Sequence, residues 1–369
     1  MFRHKFWAAV AAVFSVAVVS GAHAQQGGGY GERINRGTVG IISGGINGTY
    51  IRIATDLANV LDNGDDLRIL AIMGKGSVQN IDDILYLRGI DIGIVQSDVF
   101  EFVRRQRKHP NIDRRIRYIT KLYNEEFHLL ANDRITRIED LAGQKVNFGV
   151  RGSGTHMTAS LVFETLGIEV ESVAFDQALA LEKTKTGEIA ATVYVSGKPT
   201  SLFKDVAPDD PVHFVEVPLT PKVLETYLPS RLTHDDYPAI VPEGSPVRTL
   251  AVGAVMAVYN WPEKHPRYVK VKRFIDAFFS RFEEFQAAPR HPKWREVNLT
   301  ATVPGWTRFA PATNWLRQSA IAGSGRVRAA FEAFLRKQAP GVAERLTTEK
   351  DKDELFRLFL EWQSRQQTQ

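Results

Sequence analysis

Ile41-Ile42-Ser43-Gly44-Gly45-Ile46-Asn47-Gly48-Thr49-Tyr50 joins an apolar strand to a helix through a Gly/Ser/Asn turn, and the device returns at Phe148-Gly149-Val150-Arg151-Gly152-Ser153-Gly154-Thr155-His156-Met157. A helix start carries unpaired backbone N–H groups and partial positive charge, and glycine lets a ligand approach the main chain. Each copy is an anion cradle or, more plainly, a tight turn between strand and helix. Two copies point to one ligand held between two lobes.

The chain around each copy repeats one rhythm. Val39 to Ser43 reads as a buried strand, Tyr50 to Asn59 as a helix, Asp66 to Ile72 as a strand and Ser77 to Arg88 as a helix capped by Ser77. Ile90 to Val95 completes a βαβαβ unit, which implies parallel strands and right-handed crossovers. A second α/β unit follows: strands at Ile116 to Tyr123 and Phe127 to Ala131, a helical turn at Ile138 to Gly143, and a strand from Lys145 to Val150. Helices over Thr155 to Leu166 and Leu179 to Thr186, then a strand over Ile189 to Val195, complete it. Pro199 to Pro246 reads as Pro-rich linker, and Val247 to Val258 as a strand returning to the first lobe. Val271, Phe274, Ile275, Phe278, Phe279, Phe282 and Phe285 recur at helical spacing as a core stripe, and Leu355 to Trp362 reads as an apolar C-terminal helix.

Residues 1–24 have the form of a cleavable signal peptide: basic Arg3 and Lys5, an apolar run from Phe6 to Val19, then Ala22-His23-Ala24. Export to the periplasm is expected, followed by a disordered Gly-rich leader over 25–37. The 369 residues include no cysteine, which excludes disulfides and an N-terminal lipid anchor made through Cys. Losing Arg3 and Lys5 lowers the formal charge from +5 to +3, too mild to argue for nucleic acid. The basic tract from Arg104 to Arg117 reads as a solvated helix end and loop, with a partner or anionic-lipid contact as the alternative.

Catalytic motifs are missing: there is no Gly-x-Ser-x-Gly elbow, Walker loop or His-Glu-x-x-His. Ser153 beside His156 reads as a helix cap next to a surface histidine, and His234-Asp235-Asp236 as a polar loop. No catalytic residue, metal site or cofactor is expected.

Taken together, Gly44 to Tyr50, Gly76-Ser77-Val78-Gln79-Asn80, Asp91 to Asp98, Ile138 to Val146, Gly152-Ser153-Gly154-Thr155 and Tyr237-Pro238 ahead of Val247-Arg248-Thr249-Leu250 resemble TAXI-type solute receptors of tripartite ATP-independent periplasmic (TRAP) transporters. The chain departs from that pattern at Lys75 and Arg151, where small residues are expected, and at His291 to Trp294 and Thr302 to Phe309, which replace two His-Pro segments.

The resemblance implies an α/β, two-lobed type II periplasmic binding protein fold, mostly parallel in each lobe, with the hinge crossed twice and extra C-terminal helices. Lobe I is expected over 38–122 and 248–369, and lobe II over 123–247. A small carboxylate-bearing solute, such as glutamate, another amino acid or an organic acid, would bind between the lobes. Lobe I would offer Ser43, Gly45, Gly48, Thr49, Tyr50, Ser77, Gln96 and Ser97; lobe II would offer Arg151, Ser153, Gly154, Thr155 and Tyr194. Lys75 and Arg151, both pointing inward, would favour an anion with two acidic groups; Arg151 is otherwise a surface arginine. Integral-membrane permease subunits are the expected partner of a monomeric receptor. The binding subunit of an ATP-driven importer, a ligand sensor and a periplasmic enzyme on the same fold are the alternatives.

Overall fold

A computed structural model describes residues 30–320 and Leu355. The signal segment 1–24, residues 25–29 and the apolar run 356–362 lie outside the described residues. Tyr30–Gly37 forms helix α1 where composition predicts an unstructured leader. A Cβ on its last residue, Gly37, would stand 2.5 Å from the Asp66 carbonyl oxygen, so the helix end abuts the fold directly.

The first unit runs β1 (Thr38–Ile42), α2 (Thr49–Leu61), β2 (Arg68–Ile72), α3 (Ser77–Tyr86) and β3 (Ile92–Gln96), with β1 parallel to both β2 and β3. Ser77 is the first residue of α3, not its cap; Gly76 takes the cap position at φ +106°, a backbone region that side chains rarely enter. After α4 (Val99–Arg105) and α5 (Ile112–Arg115), β4 runs unbroken from Ile116 to Asn132. Asn124-Glu125-Glu126 looks like a break between two strands in the sequence, because acids are disfavoured inside sheets. Here each acid has a buried partner, and the strand continues through them.

The second unit comprises β5 (Lys145–Asn147), α6 (Gly154–Leu166), β6 (Glu171–Val173), α7 (Gln177–Lys185) and β7 (Ala191–Ser196). The Pro-rich stretch is more than a linker. It carries α8 (Ser201–Lys204), β8 (Val212–Phe214), α9 (Pro221–Leu224) and β9 (Leu228–Leu232) before β10 (Val247–Tyr259). β8 pairs with β4 and β9 with β10, at positions that only tertiary structure specifies. Beyond β10 come α10 (Pro266–Ser280), two short 3₁₀ turns at Phe282–Phe285 and Pro292–Glu296, and a helix over 310–320.

The strands follow the order β2-β1-β3-β10-β4-β7-β5-β6. β10 is antiparallel to β3 and β4, and β7 is antiparallel to β4 but parallel to β5. Each half thus keeps a parallel set, and the chain crosses between halves along β4 and β10, which is the two-lobed type II periplasmic binding protein fold. Separate cores flank the crossing. One packs Ile41, Ile53 and Ile94 under the buried α10 stripe of Phe274, Ile275 and Phe278; the other packs Phe127 and Leu129 against Val162, Phe163 and Val193.

The divergent C-terminal segments are structural. Trp294 is buried in the first core, and its Nε1 donates to Asp56 Oδ2 at 2.9 Å. Trp306 stacks on Phe100 with centroids 4.1 Å apart and donates to the Ser97 carbonyl. Lys293 Nζ lies 2.9 Å from Glu126 Oε1, with both side chains almost wholly buried. Replacing Lys293 with Met should cost about 3–5 kcal/mol in chemical denaturation, because Glu126 is left without its cation. The Glu126→Gln/Lys293→Met pair should recover most of that loss; a loss below about 1 kcal/mol for the single variant would show that the pair does not hold the hinge.

Candidate functional site

A cavity of about 210 Å³ lies between the halves, lined by residues at the N-termini of four helices: Gly48-Thr49-Tyr50 of α2, Gly76-Ser77 of α3, Ser153-Gly154-Thr155 of α6 and Asp176-Gln177 of α7. Helix starts present N–H donors and the positive end of the peptide dipoles. At α6, Ser153 Oγ accepts the His156 N–H at 3.1 Å, and at α7, Asp176 Oδ1 accepts the Ala178 N–H at 3.0 Å. At α2 and α3 the cap residue is glycine and no side chain caps the helix. At α3 the Gln79 N–H is taken by the Gly152 carbonyl of the opposite half at 2.9 Å, whereas the N–H groups of Thr49 and Tyr50 at α2 and of Ser77 at α3 have no side-chain cap among the described residues.

Of the residues implied by sequence, Gly45, Gly48, Thr49, Tyr50, Ser77, Gln96, Ser153, Gly154, Thr155 and Tyr194 line this cavity. Ser43, Ser97 and Arg151 do not. Ser43 is buried and donates to the Ile72 carbonyl at 2.7 Å, fastening β1 to the end of β2. Ser97 gives its N–H to the Gly253 carbonyl and accepts the Trp306 indole at its own carbonyl, which ties it to β10 and the C-terminal segment. Arg151 is exposed at the turn before α6, so the inward clamp is not formed. Lys75 reaches the rim only, as an exposed residue.

Sequence reasoning missed Glu125, Asp176, Gln177 and Ser196, which also line the cavity. The signal for Glu125 was present: two adjacent acids inside a long apolar strand. The Tyr50 hydroxyl donates to Glu125 Oε2 at 2.6 Å. Burial pushes the Glu125 carboxyl up to about 8, helped by the neighbouring charges of Glu126 and Asp98 and opposed by the Tyr50 hydrogen bond. Burial and Glu125 together push the Tyr50 hydroxyl well above its ordinary range.

The halves meet across the cleft. Thr49 Oγ1 lies 3.1 Å from Ser196 Oγ and donates to the Gly197 carbonyl at 3.1 Å. The Gln79 N–H donates to the Gly152 carbonyl at 2.9 Å. Thr200 and Ser201 hydroxyls donate to the Asn47 carbonyl, each at 3.3 Å. Glycine is required at two points of closest approach: a Cβ at Gly48 would stand 2.9 Å from the Tyr194 hydroxyl, and one at Gly154 would stand 2.5 Å from Ser77 Oγ and closer still to Gln96 Oε1.

The two polar neighbourhoods noted in the sequence, Ser153 with His156 and His234-Asp235-Asp236, are engaged in local bonding. Ser153 Oγ is engaged by a backbone N–H, and His234 Nδ1 bonds the Val241 carbonyl while Asp236 pairs with Lys198 at 2.8 Å. Among the described residues no group of three or more His, Asp or Glu side chains is placed to hold a metal ion, and no helix is long and apolar enough to cross a membrane.

Residues 41–296 match the family model described as the NMT1-like family. The chain belongs to the NMT1-like family. Among solved structures, this NMT1-like chain is similar to a periplasmic transporter at 13% identity and TM-score 0.45, covering 77% of this chain and 95% of that one. It is similar to the alkanesulfonate-binding protein from Xanthomonas axonopodis pv. citri bound to MOPS, at 12% identity and TM-score 0.40, covering 67% and 74%. An ancestral arginine-binding protein bound to arginine gives 16% identity and TM-score 0.39, covering 66% and 93%.

Behind the cavity, Asp98 joins the halves. Its Oδ2 accepts the Thr158 hydroxyl at 3.0 Å and the Tyr227 hydroxyl at 3.3 Å, both from the opposite half, while Oδ1 has no partner. Burial raises this carboxyl from 3.8 to about 6. The folded form therefore binds a proton that the unfolded chain releases between these values, so stability is present in full below pH 4 and falls as pH rises through 6. Asp98→Asn, which keeps the acceptor for both hydroxyls, should be more stable than the parent by about 2 kcal/mol at pH 7.5, with the gap closing near pH 4. Thermal unfolding across that range checks this, and a pH-independent difference would contradict it.

Proposed function

We propose that this chain is a periplasmic receptor that captures a small carboxylate-bearing solute, an amino acid such as glutamate or an organic acid, in the cleft between its halves. The observation that carries this reading is the convergence of four helix N-termini on one cavity, two of them with no side-chain cap. Each charge-assisted hydrogen bond from such donors to a carboxylate contributes about 1.5–3 kcal/mol. Ser77, Gln96 and Ser196 supply neutral hydrogen-bonding groups beside them. The exposed Arg151 has no part in the cavity, and the idea of a clamped second acidic group goes with it.

The receptor delivers its solute to an integral-membrane permease of TRAP type and belongs to the TAXI group, a reading supported by the run of sequence motifs from Gly44 to Leu250. It reaches the periplasm by a cleavable signal peptide over residues 1–24 and works as a monomer. It binds its solute rather than transforming it, a reading supported by the lack of a Gly-x-Ser-x-Gly elbow, a Walker loop or a His-Glu-x-x-His motif in the sequence.

A thermal-shift screen of amino acids, dicarboxylates and aromatic acids should raise Tm by a few degrees for at least one carboxylate at about 100 times its Kd. No shift with any of them would overturn the reading. Gly154→Ala places a methyl group against Ser77 and Gln96 where the halves meet. It should weaken that acid's Kd in calorimetry at least tenfold and also lower the unliganded Tm, since the halves already meet at Gly154 without solute; an unchanged Kd would remove closure from the binding mechanism.

A further inference from the structure

A second groove, of about 580 Å³, runs along the outside of the junction between the halves. Its walls come from three separated segments: Arg52 and Asp56 on α2, Lys204 on α8, and Arg290 ahead of the last 3₁₀ turn. We propose that this groove docks an acidic segment of the membrane-embedded partner, and that it exists as a binding surface only when the two halves have met. The proposal rests on the permease reading above.

Charge is the first argument. Arg52 and Lys204 are exposed and have no ion-pair partner among the described residues, and Arg290 reaches Asp56 Oδ1 only at 3.8 Å. The other Asp56 oxygen is already committed to the His291 N–H and the Trp294 indole, each at 2.9 Å. Three cations therefore face one acid across the groove. The His291 ring registers this field: burial, then Arg52, Lys293 and Lys204, hold it down at about 4, so the ring adds no charge of its own but lies near cations from both halves.

Closure is the second. Arg52 belongs to the first half and Lys204 to the second, and Thr200 and Ser201, beside Lys204, bond the Asn47 carbonyl across the junction. Meeting of the halves brings these unpaired charges together at a Coulombic cost that an acidic segment offsets. By linkage, a partner that binds only the closed form favours closure to the same degree. The rim adds an anchor: Ile46 is 69% exposed and lines both this groove and the solute cavity, beside Pro199 and Pro292. Cations spread over three segments around an apolar knob fit a chain of acids better than one compact anion.

The test uses the absence of native cysteine. Thr49 Oγ1 and Ser196 Oγ lie 3.1 Å apart across the halves, so Thr49→Cys/Ser196→Cys places two thiols to lock the closed form on oxidation. The probe is a fluorescein-labelled hexaglutamate peptide read by anisotropy at 50 mM NaCl, with no solute added. The oxidised protein should bind it at least tenfold more tightly than the reduced one. Adding Arg52→Glu/Lys204→Glu should cost at least another tenfold. The same reversal in the cysteine-free chain should weaken whatever peptide binding the unlocked protein shows, while leaving Kd for any solute found in the carboxylate screen within twofold. Equal binding by locked and unlocked forms, no loss on charge reversal, or no peptide binding at all would overturn the proposal. Displacement of the peptide by micromolar inorganic pyrophosphate would also overturn it, by assigning the groove to a small anion. Since the peptide arm contains no solute, its failure and a failure of the carboxylate reading are separate results.

Discussion

The antiparallel pairing of β4 with β10 is the constraint on which the rest depends. Residues 116–126 of one strand face 251–259 of the other, so both passages between the halves are hydrogen-bonded side by side. Pairing slips between Gly253 and Val255 and again between Met256 and Ala257. Such irregularities bend and twist a ladder locally. Here they occur where the sheet passes from one half to the other. The polar residues at the crossing are what this position demands: Glu126 meets the buried Lys293, and Glu125 meets the Tyr50 hydroxyl. The C-terminal segment is thereby part of the hinge. Arg308 strengthens that link by donating to the Ile119 carbonyl on β4 and stacking over Tyr118 at 4.6 Å.

Given that hinge, the direction of the helices follows. Parallel strands in each half place the helix starts at the same edge of the sheet, and two halves joined at their centre turn those edges toward each other. The cavity is where they meet. Its chemistry is uneven. Uncapped helix starts attract negative charge, whereas Glu125 and, just behind, Asp98 are carboxyls that burial drives toward the neutral form. In the receptor proposed above, closing the cleft would carry a desolvation cost for two acids, which the hydrogen bonding of a bound solute would have to offset.

Much of this was legible from residue patterns. Alternation and spacing around Val39 to Val95 identify the first unit, and the two glycine turns lead to most of the cavity wall, because helix starts and glycine requirements are local properties. What failed was tertiary. Ser43 and Ser97 flank the right strands, but the Ser43 hydroxyl is spent on the Ile72 carbonyl and the Ser97 main chain is tied to Gly253 and Trp306, partners that no single-chain motif specifies. Arg151 sits at the expected turn, yet its side chain faces solvent. Glu125 looked like an interruption because its partner, Tyr50, is 75 residues away. The strands β8 and β9 hid among prolines because they are held by pairing to β4 and β10 rather than by their own propensity.

In the proposed receptor, backbone donors at these helix starts hold the solute's carboxylate. Amide NMR of the isotope-labelled protein tests it most directly, titrated with the acid that most raises Tm. The N–H resonances of Thr49, Tyr50, Ser77, Gly154 and Thr155 should move farthest as the acid saturates the protein. Calorimetric binding of that acid with those resonances unmoved would contradict that reading.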